Sequence, residues 1–464
     1  MDATLAADLE GLPGLLERVR AQAVDFLDGL PERPVVVPSQ PPGAVPLPER
    51  GMGLGRALEV YAERWEPLFS ASAGPRYLGF VTGGATPAAL AGDWLTSVAD
   101  QNSTSALDAA GHHLEQATLE WLRELFGLSP AQQGTFVTGA TMSNTVGLAI
   151  AREWLGASRG VSVAESGAGA LGRVRVLSGS AHSSVAKALS MLGLGRSALV
   201  PVATLPDREA VDPAALEAAL LEAREAGEAC VVVANAGTVN TVDFDDLSAL
   251  AALRDRYGCW LHVDAAFGAF GALSPDHEHL LRGLDAADSI CVDLHKWLNV
   301  PYDAAVQFTR HRELQVRVFR NAAAYLGPLG ESPDPVHLTP ENSRRLRALP
   351  AWFTLLAYGR EGYREIVTRC AANARALGDA VESTPELRLL APVRFNVVCF
   401  TLATDPTPEA LARLAADVGR EVFVTPTVYA GVPALRAAFS NWRTTSRDVE
   451  RVARALRERV AHDG

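Results

Sequence analysis

The most constraining feature of the sequence is a regular alternation of apolar and amphipathic segments between about residues 75 and 310. Short apolar runs typical of strands, such as CVVVANAG, CWLHVDAA and DSICVDLH, alternate with helix-like segments such as DPAALEAALLEAREAG. Runs that are apolar at nearly every position indicate strands covered on both faces. The alternation therefore predicts an α/β fold with a mainly parallel sheet flanked by helices.

The flanking segments predict three parts of the chain. Residues 1–75 contain an amphipathic helix followed by the proline-rich stretch PERPVVVPSQPPGAVPLPER. Because this stretch has no core of its own, it predicts an arm that lies on the main domain or on a partner subunit. Residues 76–350 are expected to form the large domain. Residues 351–464, in which helices surround the strand RFNVVCFTL, are expected to form a small C-terminal α+β domain.

Composition excludes several classes of partner. The formal net charge is −12, which argues against nucleic acid or an anionic membrane as a ligand. The sequence has no long uncharged apolar stretch of the kind that spans a bilayer, and its acidic N-terminus does not read as a signal peptide. The five cysteines are scattered in mostly apolar runs, so we expect reduced core residues, a cytoplasmic location and no metal site.

Lysine is almost absent from this chain. All but two of its 42 basic Lys and Arg residues are arginine, and the two lysines are Lys187 and Lys296. Only an amine can lose its proton and attack a carbonyl group, because guanidinium stays charged. Lys187 lies in a segment typical of a surface helix, whereas Lys296 follows an apolar strand-like run. Lys296 is therefore the candidate nucleophile.

Polar and small residues follow five of the predicted strands, at the sheet edge where α/β proteins bind ligands. These strand-end residues are Ala140 and Thr141, His182, Gly237 and Thr238, Asp264 and Ala266, and His295 and Lys296. Each one alone has an ordinary explanation, such as a helix cap or simple packing. Together they supply a helix N-terminus for a phosphate, an aromatic plate, a carboxylate and an amine. That set suits pyridoxal phosphate, since an amine can bind the aldehyde and a carboxylate can keep the pyridine nitrogen protonated.

The same residues carry a family resemblance. The motifs Ala181-His182-Ser183-Ser184, His262-Val263-Asp264-Ala265-Ala266 and His295-Lys296-Trp297 resemble those of the group II pyridoxal-phosphate-dependent amino-acid decarboxylases, typified by aromatic-L-amino-acid decarboxylase. The likeness runs from Gly74 to Thr445. It implies fold type I, with a sheet of the seven-stranded type, and a homodimer with active sites at the subunit interface. It also implies decarboxylation of an L-amino acid to an amine and CO2, with aromatic amino acids favoured.

Residue roles follow from this resemblance. Lys296 would bind the cofactor covalently, Asp264 would contact the pyridine nitrogen, and His182 and Ala266 would lie on opposite faces of the ring. Ala140, Thr141 and His295 would contact the phosphate. The family holds a proton-donating tyrosine on a mobile loop from the neighbouring subunit, and Tyr325 matches it. Phe80, Val81 and Thr82 match the substrate-pocket segment.

The sequence departs from the family at some positions, and other functions stay open. Val239 stands where well-studied animal members have a threonine, and the identities of Phe80, Val81 and Thr82 also differ from those enzymes. The alternatives with the same cofactor are an aldehyde synthase, an aminotransferase and a carbon–carbon lyase. An alternative of another class is a catalytically silent binding protein.

Overall fold

The computed structural model describes residues 1–38, 40, 42–44, 46–103, 110–321 and 333–461. The chain begins with helices α1 (Ala3–Glu10), α2 (Leu12–Gly29) and α3 (Gly53–Arg64). The single helix predicted for the N-terminus is therefore divided at Gly11, which ends α1 and precedes α2. None of these three helices contains a fully buried residue.

A seven-stranded sheet forms the centre of the molecule. Its strands are β1 (Gln133–Val137), β2 (Val174–Ser178), β3 (Leu199–Pro201), β4 (Ala229–Asn235), β5 (Trp260–Asp264), β6 (Ser289–Asp293) and β7 (Ala305–Thr309). They lie in the order β1-β7-β6-β5-β4-β2-β3. The five strands from β2 to β6 are parallel, and β7 runs antiparallel to both β6 and β1. This topology confirms the predicted α/β fold.

Helices precede, connect and follow these strands. They are α4 (Pro87–Ala99), α5 (Gly111–Leu125), α6 (Ala140–Ala157), α7 (Val163–Ser166), α8 (Ser183–Met191), α9 (Pro213–Glu225), α10 (Leu247–Tyr257), α11 (Leu294–Trp297) and α12 (Arg312–Phe319). Thr86, Asp212 and Asp246 cap the N-termini of α4, α9 and α10 with their side chains, as their residue types favour. No helix within these described ranges is both long and apolar enough to cross a membrane.

The C-terminal part carries a second, antiparallel sheet. It comprises α13 (Ala348–Glu382), β8 (Leu387–Leu389), β9 (Val397–Leu402), α14 (Pro408–Asp417), β10 (Thr425–Tyr429), β11 (Val432–Ala438) and α15 (Ser446–Ala461). The strand order is β10-β11-β9-β8. Helix α13 is interrupted at Gly359, whose positive φ of 58° favours glycine. This second sheet contacts the segment around residue 78, because the N–H of Ala438, the last residue of β11, donates to Leu78 O.

Burial explains how the large sheet positions polar groups. Every residue of β4, β5, β6 and β7 is buried, so these strands have no solvated face. Helix α6 is also buried over Ser143–Ala151 and packs against this sheet. Polar side chains at the carboxyl ends of the parallel strands therefore converge on one edge, which is where open α/β sheets bind ligands.

Candidate active site

A cavity of about 360 Å³ lies at that edge of the large sheet. Its described lining residues are Phe80, Val81, Ala140, His182, Asn235, Gly237, Val239, Asp264, Ala266, Phe267, His295, Lys296, Tyr302 and Arg436. This volume falls in the range of small-molecule sites. The cavity thus brings together residues from all five predicted strand ends.

Lys296 places its amine inside the cavity. The Lys296 Nζ atom lies 3.1 Å from Asp293 Oδ2 and 5.2 Å from the centroid of the Phe267 ring. The other carboxylate oxygen of Asp293 accepts a hydrogen bond of 2.8 Å from Ala140 N, at the start of α6. Asp293 therefore fixes both the amine and the N-terminus of the predicted phosphate-binding helix, a role that the sequence analysis missed.

Asp264 ends strand β5 and is held by two donors. Its Oδ2 atom accepts a hydrogen bond of 2.8 Å from Asn144 Nδ2, and its Oδ1 atom accepts one of 3.1 Å from Ala266 N. The side chain is 6% exposed, and that exposed part faces the cavity. The carboxylate is thus oriented, yet open to a ligand on one side.

His182 caps helix α8 and faces the open cavity. Its Nδ1 atom accepts a hydrogen bond of 3.2 Å from Ser184 N and lies 2.8 Å from Ser184 Oγ. Desolvation lowers the pKa of His182, although the Asp264 carboxylate opposes part of this effect. The ring is therefore neutral at pH 7. Because Nδ1 accepts the hydrogen bond from Ser184 N, Nδ1 carries no proton and the ring proton resides on Nε2.

Only two of the three residues predicted to contact the phosphate line the described cavity. His295 lines the cavity with its Nε2 atom 3.4 Å from Asp293 Oδ2, and its ring centroid lies 4.3 Å from that of Tyr302, with the two rings tilted by 37°. Desolvation lowers the pKa of His295, and Asp293 partly opposes this. Ala140 also lines the cavity. Thr141 lies in the first turn of α6 but is exposed and outside the described cavity wall.

The predicted substrate-pocket segment is only partly at the cavity. Phe80 and Val81 line it, and the Phe80 ring lies 5.4 Å from that of Phe423. Thr82 is buried behind the wall, where its backbone oxygen accepts a hydrogen bond from Ser440. Tyr325 lies outside the described residues, so its predicted role stays a prediction.

Arg436 is a cavity residue that the sequence analysis missed. It comes from β11 of the second sheet, and its guanidinium group donates to Val239 O at 2.7 Å and to Gly79 O at 3.1 Å. Its side chain is 7% exposed, and it is the only arginine among the described cavity-lining residues. The sequence feature that could have identified this residue is the occurrence of a charged side chain inside the apolar run PALRAAF.

The residues present fit pyridoxal phosphate. The cavity offers an amine for the aldehyde, a carboxylate fixed at the end of a buried strand for the pyridine nitrogen, and a histidine ring. The cofactor, when bound, supplies an electron-accepting ring that stabilises the negative charge left at a cleaved carbon.

Comparisons with known proteins agree with this geometry. The family model described as the pyridoxal-dependent decarboxylase conserved domain matches residues 62–403. An L-2,4-diaminobutyrate decarboxylase of Rhizobium meliloti is 30% identical over 431 residues, which are 89% of this chain and 83% of that protein. An aromatic-L-amino-acid decarboxylase of Bacillus atrophaeus is 26% identical over 408 residues, 83% of this chain and 82% of that one. The solved structure of Oryza sativa TDC with PLP and tryptamine superposes with a TM-score of 0.90 at 22% identity, covering 98% of each chain.

Proposed function

Because the chain belongs to the pyridoxal-dependent decarboxylase family, we propose that it removes the carboxyl group of an aromatic L-amino acid. It is a carboxy-lyase whose cofactor is pyridoxal phosphate. The family alone leaves the substrate open, since its members named above include both diaminobutyrate and aromatic-amino-acid decarboxylases. The aromatic preference is therefore argued from the cavity.

The charge of the cavity wall carries this proposal. Asp264 is the only carboxylate among the described lining residues, and it is already assigned to the cofactor. A substrate with a second ammonium group, such as diaminobutyrate, would need another acidic partner to offset its desolvation. The remaining wall includes the apolar or aromatic side chains of Phe80, Val239, Phe267 and Tyr302. These favour a flat apolar side chain.

The residues receive the following roles in the proposed reaction. Lys296 binds the cofactor covalently, Asp264 keeps the pyridine nitrogen protonated, and His182 stacks on the ring opposite Ala266. Arg436 provides the cation that orients the substrate carboxylate, because its guanidinium is buried beside the cavity with Nε unpaired among the described residues. His295 and the start of α6 hold the phosphate.

A screen for CO2 release tests the substrate. The purified holoenzyme is offered each of the twenty amino acids and L-2,4-diaminobutyrate, and we expect an aromatic amino acid to give the highest kcat/KM. The yellow colour of the bound cofactor should shift on addition of the same amino acid. A preference for diaminobutyrate or glutamate would contradict the proposed specificity, and absence of CO2 release from any of them would contradict decarboxylation.

The Tyr325→Phe variant tests how the reaction ends. After CO2 leaves, the α-carbon must receive a proton, and the phenol of Tyr325 is proposed to deliver it. Removing the hydroxyl should slow amine formation by roughly 100- to 10,000-fold, as for a lost general acid. Under air the electron-rich carbon should instead react partly with oxygen, giving aldehyde, ammonia and hydrogen peroxide. CO2, amine and aldehyde are measured together.

A matched control separates this role from a general effect of losing a hydroxyl. Tyr257→Phe removes a phenol at the end of α10 that donates to Glu217 of α9, away from the cavity, and should leave the rate unchanged. If Tyr325→Phe makes amine at the wild-type rate without aldehyde, Tyr325 is not the donor, and His182 becomes the candidate. Aldehyde as the main wild-type product would instead favour an aldehyde synthase.

The N-terminal helices support a homodimer. Helices α1, α2 and α3 contain no fully buried residue, and Leu5, Leu9, Leu12 and Leu16 are among the most exposed leucines of the described chain. Covering them requires another surface, and a two-fold dimer is the commonest solution. Sedimentation should give twice the chain mass of 49.2 kDa. A fully active monomer at micromolar concentration would refute this proposal.

A cytoplasmic location is proposed from the cysteines. Cys230, Cys259, Cys291, Cys370 and Cys399 are all free and buried. Burial raises the pKa of Cys259 and Cys370 to about 12, so these thiols stay protonated and unreactive. A chain whose thiols are all unpaired suits a reducing compartment.

A further inference from the structure

A continuous series of hydrogen bonds runs beneath the cavity and ends at Asp264. Trp260 Nε1 donates to Ser289 Oγ at 3.1 Å, and Ser289 Oγ lies 2.7 Å from His262 Nδ1. His262 Nε2 lies 2.8 Å from Asn144 Oδ1, and Asn144 Nδ2 donates to Asp264 Oδ2 at 2.8 Å. The first four residues are completely buried, so solvent does not compete for these bonds.

The two ends of this series fix the direction of donation. The indole nitrogen of Trp260 can only donate, and a carboxylate such as Asp264 only accepts. The Ser289 hydroxyl must then donate to Nδ1 of His262, whose Nε2–H donates to the Asn144 oxygen. Desolvation lowers the pKa of His262 to about 4, so the ring is neutral and carries the single N–H that this direction requires. This direction assigns the Asn144 amide nitrogen as the donor to Asp264 and the amide oxygen as the acceptor from His262.

The Asn144 amide also reaches the other face of the cofactor site. Its Nδ2 atom donates to Ser184 Oγ at 3.0 Å, and that hydroxyl contacts His182 Nδ1. One side chain therefore contacts Asp264 directly and also contacts Ser184, the partner of His182. Close packing supports this arrangement, since a Cβ atom on Gly147, one turn further along α6, would lie 2.7 Å from His262 Cε1.

We propose that Asn144 is a positioning residue that orients Asp264 toward the pyridine nitrogen of the cofactor. Each oxygen of Asp264 receives one donor, Asn144 Nδ2 or Ala266 N, and these two bonds set the rotation of the carboxylate. Lone pairs then remain directed into the cavity. The inference rests on the proposed function, because that function gives Asp264 its partner. Its influence on the reaction passes through Asp264.

Replacing Asn144 with alanine tests the contact without relying on turnover. Apoprotein is titrated with pyridoxal phosphate, and Asn144→Ala should bind it roughly 10-fold more weakly, as expected when one hydrogen bond to a charged group is lost. The visible absorption band of the bound cofactor should also change its pH dependence, because the ring nitrogen is less well held. Asn373→Ala is the matched control, since this buried asparagine donates to Thr444 O in the C-terminal part. It should leave both readouts unchanged.

A double-mutant cycle separates positioning from general structural support. In an Asp264→Ala background the acceptor of Asn144 is absent, so Asn144→Ala should cause little further loss of cofactor affinity. If Asn144 merely supports the fold, its effect should instead be equally large in both backgrounds. Asn144→Asp provides a second variant of the same shape, which places an acceptor beside Asp264 and should weaken cofactor binding more than alanine does.

The outcomes distinguish this inference from the function on which it depends. If the wild type binds the cofactor and releases CO2 but folded Asn144→Ala and Asn144→Asp behave like it, the positioning role is wrong and the proposed function stands. Additive losses in the cycle would also overturn the positioning role. If the wild type binds no cofactor and releases no CO2 from any amino acid, the proposed function itself fails.

Discussion

Replacing Lys296 with alanine is expected to abolish both covalent attachment of the cofactor and turnover. Lys296 is the only lysine among the described residues that line the cavity, and alanine has no amine to replace it. After treatment with borohydride, mass spectrometry should find the reduced cofactor attached to Lys296 in the wild type and to no residue in the variant. CO2 release should fall to background.

Two further variants make this result specific. Lys296→Arg keeps a cation near Asp293 but cannot attack a carbonyl group, so it should be as inactive as the alanine variant. Lys187→Ala removes the other lysine of the chain, which is exposed on α8, and should leave activity and labelling unchanged. Covalent cofactor retained in Lys296→Ala, or a normal rate, would show that the assignment is wrong.

Asp264→Asn is expected to lower the rate by orders of magnitude while leaving the fold and the covalent attachment of the cofactor intact. The amide has nearly the same shape as the carboxylate and can still accept a hydrogen bond from Ala266 N or Asn144 Nδ2. It carries no negative charge, so the pyridine nitrogen is no longer kept protonated and the ring accepts electrons poorly. Cofactor titration and CO2 release are measured on the same preparation.

The control for this variant is another buried carboxylate in the same sheet. Asp288 precedes β6 and accepts a hydrogen bond from Leu261 N, at the end of the strands away from the cavity. Asp288→Asn should reduce stability, because Asp288 pairs with Arg254 and His311, but it should not produce a comparable loss of rate. An Asp264→Asn enzyme within a few-fold of the wild type would contradict the proposed role of Asp264.

Much of the fold follows from local patterns in the sequence. Continuous apolar runs predict buried strands, and the strand-end rule then brings residues as distant as His182 and Lys296 to one edge of the sheet. The family resemblance supplies their roles, and the family model and the relatives confirm the family, the enzyme class and the cofactor. Position along a strand therefore carries most of the information about the site.

Contacts set by long-range packing could not be predicted in this way. The bond from Asn144 to Asp264 depends on how α6 lies on β5, and the bond from Ala140 N to Asp293 depends on how it approaches β6. The first turn of α6 leaves Thr141 exposed and outside the described cavity wall, and its contact with the phosphate stays a prediction. Nothing in the periodicity of a sequence encodes the angle at which a helix meets a sheet.

The position of Arg436 makes the cavity depend on both sheets. This side chain belongs to the second sheet, yet it closes the cavity and binds the backbone beyond β4 and the segment before α4. The cavity is therefore complete only while the two sheets remain docked. A change that separated the two sheets would therefore open the cavity and weaken cofactor binding. A truncated chain that ends before β11 would keep the amine and the carboxylate but lack one wall of the cavity.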